Sequence, residues 1–447
     1  MDKDKPMPSS YGSASDSTNS SRVKWKDFFT DKDLAALIDT ALKNNPELLM
    51  TLQDIEIARN DVRVRKGMLF PYVTAGAGAG VEKVGHYTSQ GAGDASADIT
   101  PGERVPENLG DFLIGANASW QIDIWHKLRN QKKAAMARYL ATVEGKNFVV
   151  TSLVAEVARG YYELLSLDDQ LKVIRETITL QKNALEIMKI QKDAAVVTEL
   201  AVKKFEAEVL SSQSREYEIL QQIKETENEV NFLLGRYPQP VTRGNSDFLA
   251  LEVQQVKAGV PSQLLNNRPD IRAAKLELYA AKCDVKSAQA EFLPDFNITA
   301  GAGFNAFKPS FLFTLPESAI YSLAGDLMMP LINRSAIKAE FNSRKAEQLK
   351  ALVEYQKTIL GGYVEVSNEL SGVDNLQHAY DLKSQEVDAL NKSIDISNDL
   401  FRTAHADYLE VLMTQRDALD AKMELIETKN DQFNALINLY QSLGGGW

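Results

Sequence analysis

The residue types that most often carry chemistry are sparse and scattered along this chain. Its four histidines, His86, His126, His378 and His405, show no ligand spacing and give no metal site. The single cysteine, Cys283, falls in an alanine-rich helical pattern and reads as a packing residue; without a second thiol no internal disulfide forms. The glycine-rich run Ala75–Gly80 has neither the spacing of a phosphate loop nor a helix behind it. Met328 and Met329 sit side by side, an arrangement that suits soft metals but more often fills apolar gaps. No nucleophile elbow and no CxxC motif occurs. The expectation is a protein with no catalytic residue, no cofactor and no metal.

What remains is architecture. The chain has 447 residues, 44% hydrophobic and 25% charged, and no run of apolar residues long enough for a transmembrane helix. A transmembrane β-barrel stays open, because its alternating strands leave only a weak hydropathy signal. A net charge of −11 argues against nucleic acid as a partner. Met1–Ser21 is polar and has no apolar core of a secretion signal, so the chain reads as either cytosolic or already processed.

Proline placement divides the chain. All 14 prolines lie outside Glu107–Tyr237 and Leu331–Trp447, and the segments from about Lys127 and Arg334 onward are rich in strong helix formers. Val150, Val157, Leu164, Leu171, Ile178 and Leu185 recur every seven residues, as do Val366, Val373, Tyr380, Val387, Ile394 and Phe401. A sustained heptad predicts coiled-coil packing. Weak breaks at Asp193–Val197 and Thr403–Ala406 split each stretch into a long helix and a shorter returning one. Lys127–Lys192 would span about 100 Å at 1.5 Å per residue. Helices of that length need neighbours.

The chain also repeats itself. Asn45-Pro46-Glu47 matches Arg268-Pro269-Asp270, Asp61-Val62 matches Asp284-Val285, and Leu69-Phe70-Pro71 matches Phe292-Leu293-Pro294, each pair separated by 223 residues. Both halves then enter Ala-Gly-Ala-Gly, at Ala75–Gly78 and Ala300–Gly303. A colinear set at one offset indicates internal duplication, each half reading helix, strand, loop, strand, long helix, returning helix.

The predicted strands alternate. Phe296, Ile298, Ala300, Ala302 and Phe304 oppose Asp295, Asn297, Thr299, Gly301 and Gly303. In Asp111–Ile124, Phe112, Ile114, Ala116, Ala118, Trp120, Ile122 and Ile124 oppose Leu113, Gly115, Asn117, Ser119, Gln121 and Asp123. Tyr72–Val81 and Ser322–Ile332 are weaker versions, the latter interrupted by Pro330. About ten residues of such alternation with an aromatic near one end is the pattern of a membrane-barrel strand. Phe112, Trp120, Ile122, Phe296 and Ile298 are the expected lipid-facing residues, with Gln121, Asn297 and Thr299 turned to the lumen. The strands of each half are joined by long loops, Glu82–Gly110 and Asn305–Tyr321, the second carrying Phe307, Phe311 and Phe313. Four strands cannot close a barrel, and open edges in lipid leave backbone groups unpaired at several kcal/mol each. Oligomerisation is therefore expected: two copies bring eight strands and three bring twelve.

These features resemble the TolC/OprM-type outer-membrane factor family. The resemblance runs from about Asp31 to Leu443 and rests on Leu293-Pro294 before a strand, the strand end Trp120-Gln121-Ile122-Asp123-Ile124-Trp125, Arg268-Pro269-Asp270-Ile271, and Tyr408-Leu409-Glu410-Val411-Leu412. It implies a mixed α and β fold: a trimeric 12-stranded outer-membrane barrel, four strands per chain, continuous with a 12-helix α-barrel in the periplasm. It also implies a homotrimer that docks onto a periplasmic adaptor and an inner-membrane pump of the resistance-nodulation-division type, as the exit channel of a tripartite efflux system for drugs or other small toxic compounds. On this reading 1–30 is an extended N-terminal segment, 31–70 and 261–293 are tunnel helices, and 71–126 and 294–333 are barrel strands with their loops. Residues 127–234 and 334–447 are the helical hairpins, with periplasmic tips near 193–199 and 403–410, and 235–260 is an equatorial connection. Many family members carry a lipidated N-terminal cysteine, which is not visible in this sequence.

The resemblance places a gate at the hairpin tips, over Ala195–Leu200 and Ala404–Val411. The glycine usual at both turns is Ala195 and Ala404 here, and the aspartate usual after the second motif is Met413. Glu199, Asp407 and Glu410 stand as acidic rings, Arg402 and His405 as latch partners reaching toward Thr198 and Glu199, and Leu409 and Met413 as an apolar seal. A type I protein-secretion channel would share this fold with other partners. A cytosolic coiled-coil scaffold would explain the heptads but not the strands, and an enzyme fits least.

Overall fold

The two proline-free stretches fold into the long helices that their composition predicts. In the computed structural model, which describes residues 8, 10–11, 24–244, 248–253, 258–332, 334–403 and 405–445, the first half contains α1 (Trp25–Phe28), α2 (Lys32–Asn44), α3 (Pro46–Gly67), β1 (Tyr72–Glu82), α4 (Ser89–Asp94), β2 (Asp98–Thr100), β3 (Glu103–Arg104), β4 (Leu109–Ile122), α5 (Lys127–Asp193) and α6 (Glu199–Leu233). The second half contains α7 (Leu264–Asn267), α8 (Pro269–Ala290), β5 (Asp295–Ala306), β6 (Ala319–Met328), α9 (Ser335–Arg402) and α10 (Tyr408–Ser442). Helix, strand, loop, strand, long helix and returning helix thus occur twice. Ala404, most of the segment 1–30 and parts of the 235–260 connection lie outside the described residues.

The chain divides into two units. One comprises Met1–Ile55, Ala141–Lys275 and Glu354–Trp447; the other comprises Glu56–Leu140 and Leu276–Val353. The first is helical. Its heptad residues Val157, Leu164, Ile178 and Leu185 of α5, and Val366 and Val387 of α9, are buried, as a coiled-coil seam requires. The largest apolar cluster joins Phe28, Leu34 and Ile38 to Val157, Tyr161 and Leu164 of α5, and to Ile426, Phe433 and Tyr440 of α10. Tyr161 donates its hydroxyl hydrogen to Asp31 at 2.9 Å, and the same carboxylate caps α2 by accepting from the amides of Asp33 and Leu34.

Arg268 gives the Arg-Pro-Asp-Ile segment its structural purpose. Its side chain is almost fully buried and binds Asp270 at 2.7 Å, Glu365 of α9 at 2.6 Å and the carbonyl of Ser442 at 2.8 Å. One guanidinium thereby joins the start of α8 to α9 and satisfies a free carbonyl at the end of α10. Gly362 lies beneath it: a Cβ there would come within 3.1 Å of the guanidinium Nε.

The second unit holds a four-stranded antiparallel sheet in the order β1-β4-β5-β6. Its strand ends correct the sequence reading in two places. β4 stops at Ile122, so Asp123 and Ile124 are not strand residues; Asp123 instead caps α5, accepting from the amides of Leu128 and Arg129, each at 2.9 Å. β6 stops at Met328, so Pro330 follows the strand rather than interrupting it, as expected of a residue that cannot donate to a ladder. Cys283 packs with Ala134, Ala137 and Ala280 between α5 and α8.

Replacing Arg268 with Ala removes the guanidinium from Glu365 and the buried Ser442 carbonyl, and leaves Asp270 with only the Ile271 amide. Because Glu365 is half-exposed, the loss falls toward the low end of the ~3–5 kcal/mol typical of a broken buried pair. Urea or thermal unfolding of the purified protein measures it; an unchanged midpoint would deny Arg268 this role.

Candidate functional site

Two regions hold the residues singled out from the sequence: the sheet and the hairpin turns. In the sheet, the cross-strand register decides which side chains share a face. Trp120 pairs with Ile298, Ile122 with Phe296, Ala116 with Ala302 and Phe112 with Ala306. On β1 the same face carries Val73, Ala75, Ala77 and Ala79, opposite Ala118, Ala116, Ile114 and Phe112. On β6 it carries Leu327, Gly325, Leu323, Tyr321 and Ala319. No charged or amide side chain falls on this face across all four strands. Phe112, Trp120, Ile122, Phe296 and Ile298 therefore lie together on it. Several of its side chains are highly exposed, among them Val73, Leu323 and Tyr321.

The opposite face is mostly polar or small, with Leu113, Ile320 and Met328 as apolar exceptions. Thr74, Asn117, Gly301 and Ser322 form one row across the sheet, and Gly76, Gly115, Gly303 and Ile320 form the next. The glycines at 115 and 303 are required by close approach: a Cβ at Gly303 would lie 2.4 Å from the Ile114 carbonyl oxygen, and one at Gly115 would lie 2.9 Å from that of Ala302. Gly76, in contrast, has no atom within 4 Å of such a Cβ. Gln121 donates to Asp295 at 3.0 Å on this side. The indole N–H of Trp120 donates to the Leu69 carbonyl at 3.1 Å and that of Trp125 to the Pro294 carbonyl at 2.8 Å, so both rings tie strand ends to the chain entering the sheet.

At the first turn, Ala195 has a φ of 63°, in the left-handed region that glycine adopts without penalty. Thr198 caps α6 by accepting from the Ala201 amide at 3.3 Å. Glu199 pairs with Lys192 at 2.6 Å across the turn. The hydrogen bond from Lys192, followed by its charge, holds the Glu199 carboxyl below the ordinary carboxylate range. The pairing therefore supports the turn at neutral pH and fades as pH falls through that lowered value. Lys192 was not legible as a site residue, since nothing in the sequence shows that the turn brings it back to Glu199.

At the second turn, Arg402 lies 3.8 Å from Asp399, and the His405 Nδ1 lies 3.1 Å from the Thr403 hydroxyl. Asp407 occupies the N-cap position of α10 without a side-chain capping bond, and Glu410 is exposed in its first turn. Among the described residues, then, no hydrogen bond or ion pair joins the acidic candidates to Arg402 or His405. The two turns are joined instead by an apolar cluster: Leu185 and Met188 of α5 and Val202, Phe205 and Val209 of α6 pack with Phe401, Tyr408 and Leu412. Leu409 and Met413 line a groove of about 320 Å³ with Lys204, Ala207, Glu208, Leu412 and Arg416, between α6 and α10. Among the described residues no group of three or more His, Cys, Asp or Glu side chains could hold a metal ion, and no helix is long and apolar enough to cross a membrane.

Comparison with known proteins agrees with this geometry. The pattern of the outer membrane efflux protein family matches residues 37–236 and 260–445. The toluene efflux pump outer membrane protein TtgI of Pseudomonas putida is 27% identical over 454 residues, covering 99% of this chain and 92% of its own. The pyoverdine export outer membrane protein OpmQ of Pseudomonas aeruginosa is 26% identical over 438 residues, covering 98% of this chain and 90% of its own. The crystal structure of a membrane protein from Pseudomonas aeruginosa superposes with a TM-score of 0.89 at 24% identity, covering 99% of this chain and 95% of that one.

A glycine at position 195 relieves the left-handed strain. Ala195→Gly should stabilise the hairpin by about 1 kcal/mol, seen as a higher unfolding midpoint. A lower midpoint would mean that the turn is not held in this conformation.

Proposed function

The chain belongs to the outer membrane efflux protein family and is an outer-membrane efflux channel; we propose that it works as a homotrimer whose twelve strands close one barrel in the outer membrane. The observation that carries this reading is the uninterrupted apolar face of a sheet whose two edge strands, β1 and β6, have no outer partner among the described residues. In lipid each unpaired backbone group costs several kcal/mol, so the edges must meet another copy. With four antiparallel strands, β1 and β6 run in opposite directions. β6 of one copy therefore meets β1 of the next in the same antiparallel pattern.

Bore favours three copies over two: barrel diameter grows with strand number, and eight strands enclose little more than their own side chains or one small ligand. The row of Gly76, Gly115 and Gly303 on the polar face, where Ile320 is the one large side chain, favours an open lumen at that level. In the helical unit, Leu360, Val364, Leu382, Ile396 and Leu400 of α9 are exposed apolar residues that a neighbouring copy would cover.

The helical unit is then the periplasmic tunnel, with the turns at Ala195 and near His405 as its gate. Arg402 and His405 of one copy hold Thr198 and Glu199 of the next, in place of the in-chain contacts of the single protomer. Asp407 and Glu410 form acidic rings, and Leu409 and Met413 add an apolar seal. The groove between α6 and α10 suits a helical segment of a periplasmic adaptor, which couples the channel to an inner-membrane pump of the resistance-nodulation-division type. The cargo is small molecules, as the names of TtgI and OpmQ indicate for those relatives. Phe112, Trp120, Ile122, Phe296 and Ile298 face lipid, while Gln121, Asn297 and Thr299 face the lumen.

The register provides the test. An arginine at mid-membrane on the lipid face costs about 2–4 kcal/mol, and much less on the lumen face. Ile298→Arg should therefore prevent outer-membrane assembly. Thr299→Arg should assemble and conduct in planar bilayers with its selectivity moved toward anions. Equal tolerance of the two changes would refute a membrane barrel in this register.

A further inference from the structure

The apolar core of the helical hairpins is not continuous. Near the turns it comprises Leu185, Met188, Val202, Phe205 and Val209 with Phe401, Tyr408 and Leu412; farther along it resumes as Leu167, Ile174, Ile178, Ile219, Leu419 and Met423. Between these clusters each of three helices carries a polar residue at a core position. On α5 it is Gln181, between Ile178 and Leu185; on α6 it is Ser212, between Val209 and Ile219; on α10 it is Gln415, between Leu412 and Leu419. The ion pairs Arg175–Glu216 and Lys192–Glu199 set the register of α5 against α6, and Arg215–Asp420 sets that of α6 against α10. Both registers bring the glutamines level with Leu210, next to Ser212.

Gln181 is 2% exposed, and neither its amide nitrogen nor its amide oxygen has a hydrogen-bond partner among the described residues. The Oε1 of Gln415 is likewise buried without a partner. Such groups pack a coiled-coil core less favourably than the apolar residues on either side, because a buried amide without a protein partner carries a desolvation cost. The layer is therefore a weakly packed level between two apolar clusters.

We infer that the hairpin ends form a separable segment, jointed to the rest of the helical unit at the polar layer of Gln181, Ser212 and Gln415. The segment moves as one body because its own apolar cluster spans both hairpins. The joint lets α5, α6 and α10 shift at one level while the cores on either side stay packed. This rests on reading the turns as the gate: opening would then be a movement of the segment about the joint, not an unwinding of the turns themselves.

The test uses the full-length channel in lipid, with amide hydrogen exchange and single-channel recording as separate readouts. Gln181→Leu makes the core continuous. It should slow exchange from Asn183 to Glu208 about tenfold, since one local opening is removed, and leave exchange around Leu167 unchanged. Gln415→Leu should act in the same direction and carries the test should Gln181→Leu fail to assemble. Unchanged exchange in the segment, or slowing spread evenly along α5, overturns the joint. The recording tests the gate separately. Fewer openings in the slowed variant support joint and gate together, whereas slowed exchange with unchanged openings retains the joint and rejects the turns as the gate.

Discussion

The hydrogen-bonding demand of a sheet with unpaired edges governs this structure. Each strand interior to β1-β4-β5-β6 satisfies its backbone on both sides, and among the described residues β1 and β6 pair on one side. In water such an edge is a liability that solvent can relieve. The apolar face here removes that relief, because it suits a medium with no hydrogen bonds to offer. On the proposed reading, self-association is thus a demand of the backbone before it is a property of any side chain. The long helices share the dependence: α9 carries exposed leucines along a length that one copy does not cover.

Internal duplication makes this economical. One pattern of helix, strand, loop, strand and helical hairpin occurs twice, so each chain brings an even number of strands and its two edges run in opposite directions. The copies differ where individual duties differ. Arg268 in the second repeat binds across to Glu365 and Ser442, whereas the matching Asn45 in the first donates its side-chain amide to the Leu233 carbonyl at 2.9 Å. Both residues secure the end of a returning helix, one by charge and one by an amide.

Much of this was legible from the residues themselves. Heptads at Val157, Leu164 and Ile178 and alternation from Phe296 to Phe304 are local periodicities, and the structure follows them. Alternation alone misplaces Asp123 and Pro330, because it carries past the point where a helix cap or a missing N–H ends the ladder. The tip was harder still. Lys192 meets Glu199, and Arg402 meets Asp399, only once the turn geometry is known. The strain at Ala195 was hinted at by the absent glycine, but a φ of 63° is a property of the folded chain. The gap in the core at Gln181 involves three helices whose register no single periodicity reveals.

The claim on which all else depends is that one chain is an incomplete barrel. Light scattering in detergent, with the micelle contribution subtracted, measures it directly. The account predicts a protein mass of three times 49.6 kDa. A stable species of one chain, with the apolar face and both edges left open, would contradict it.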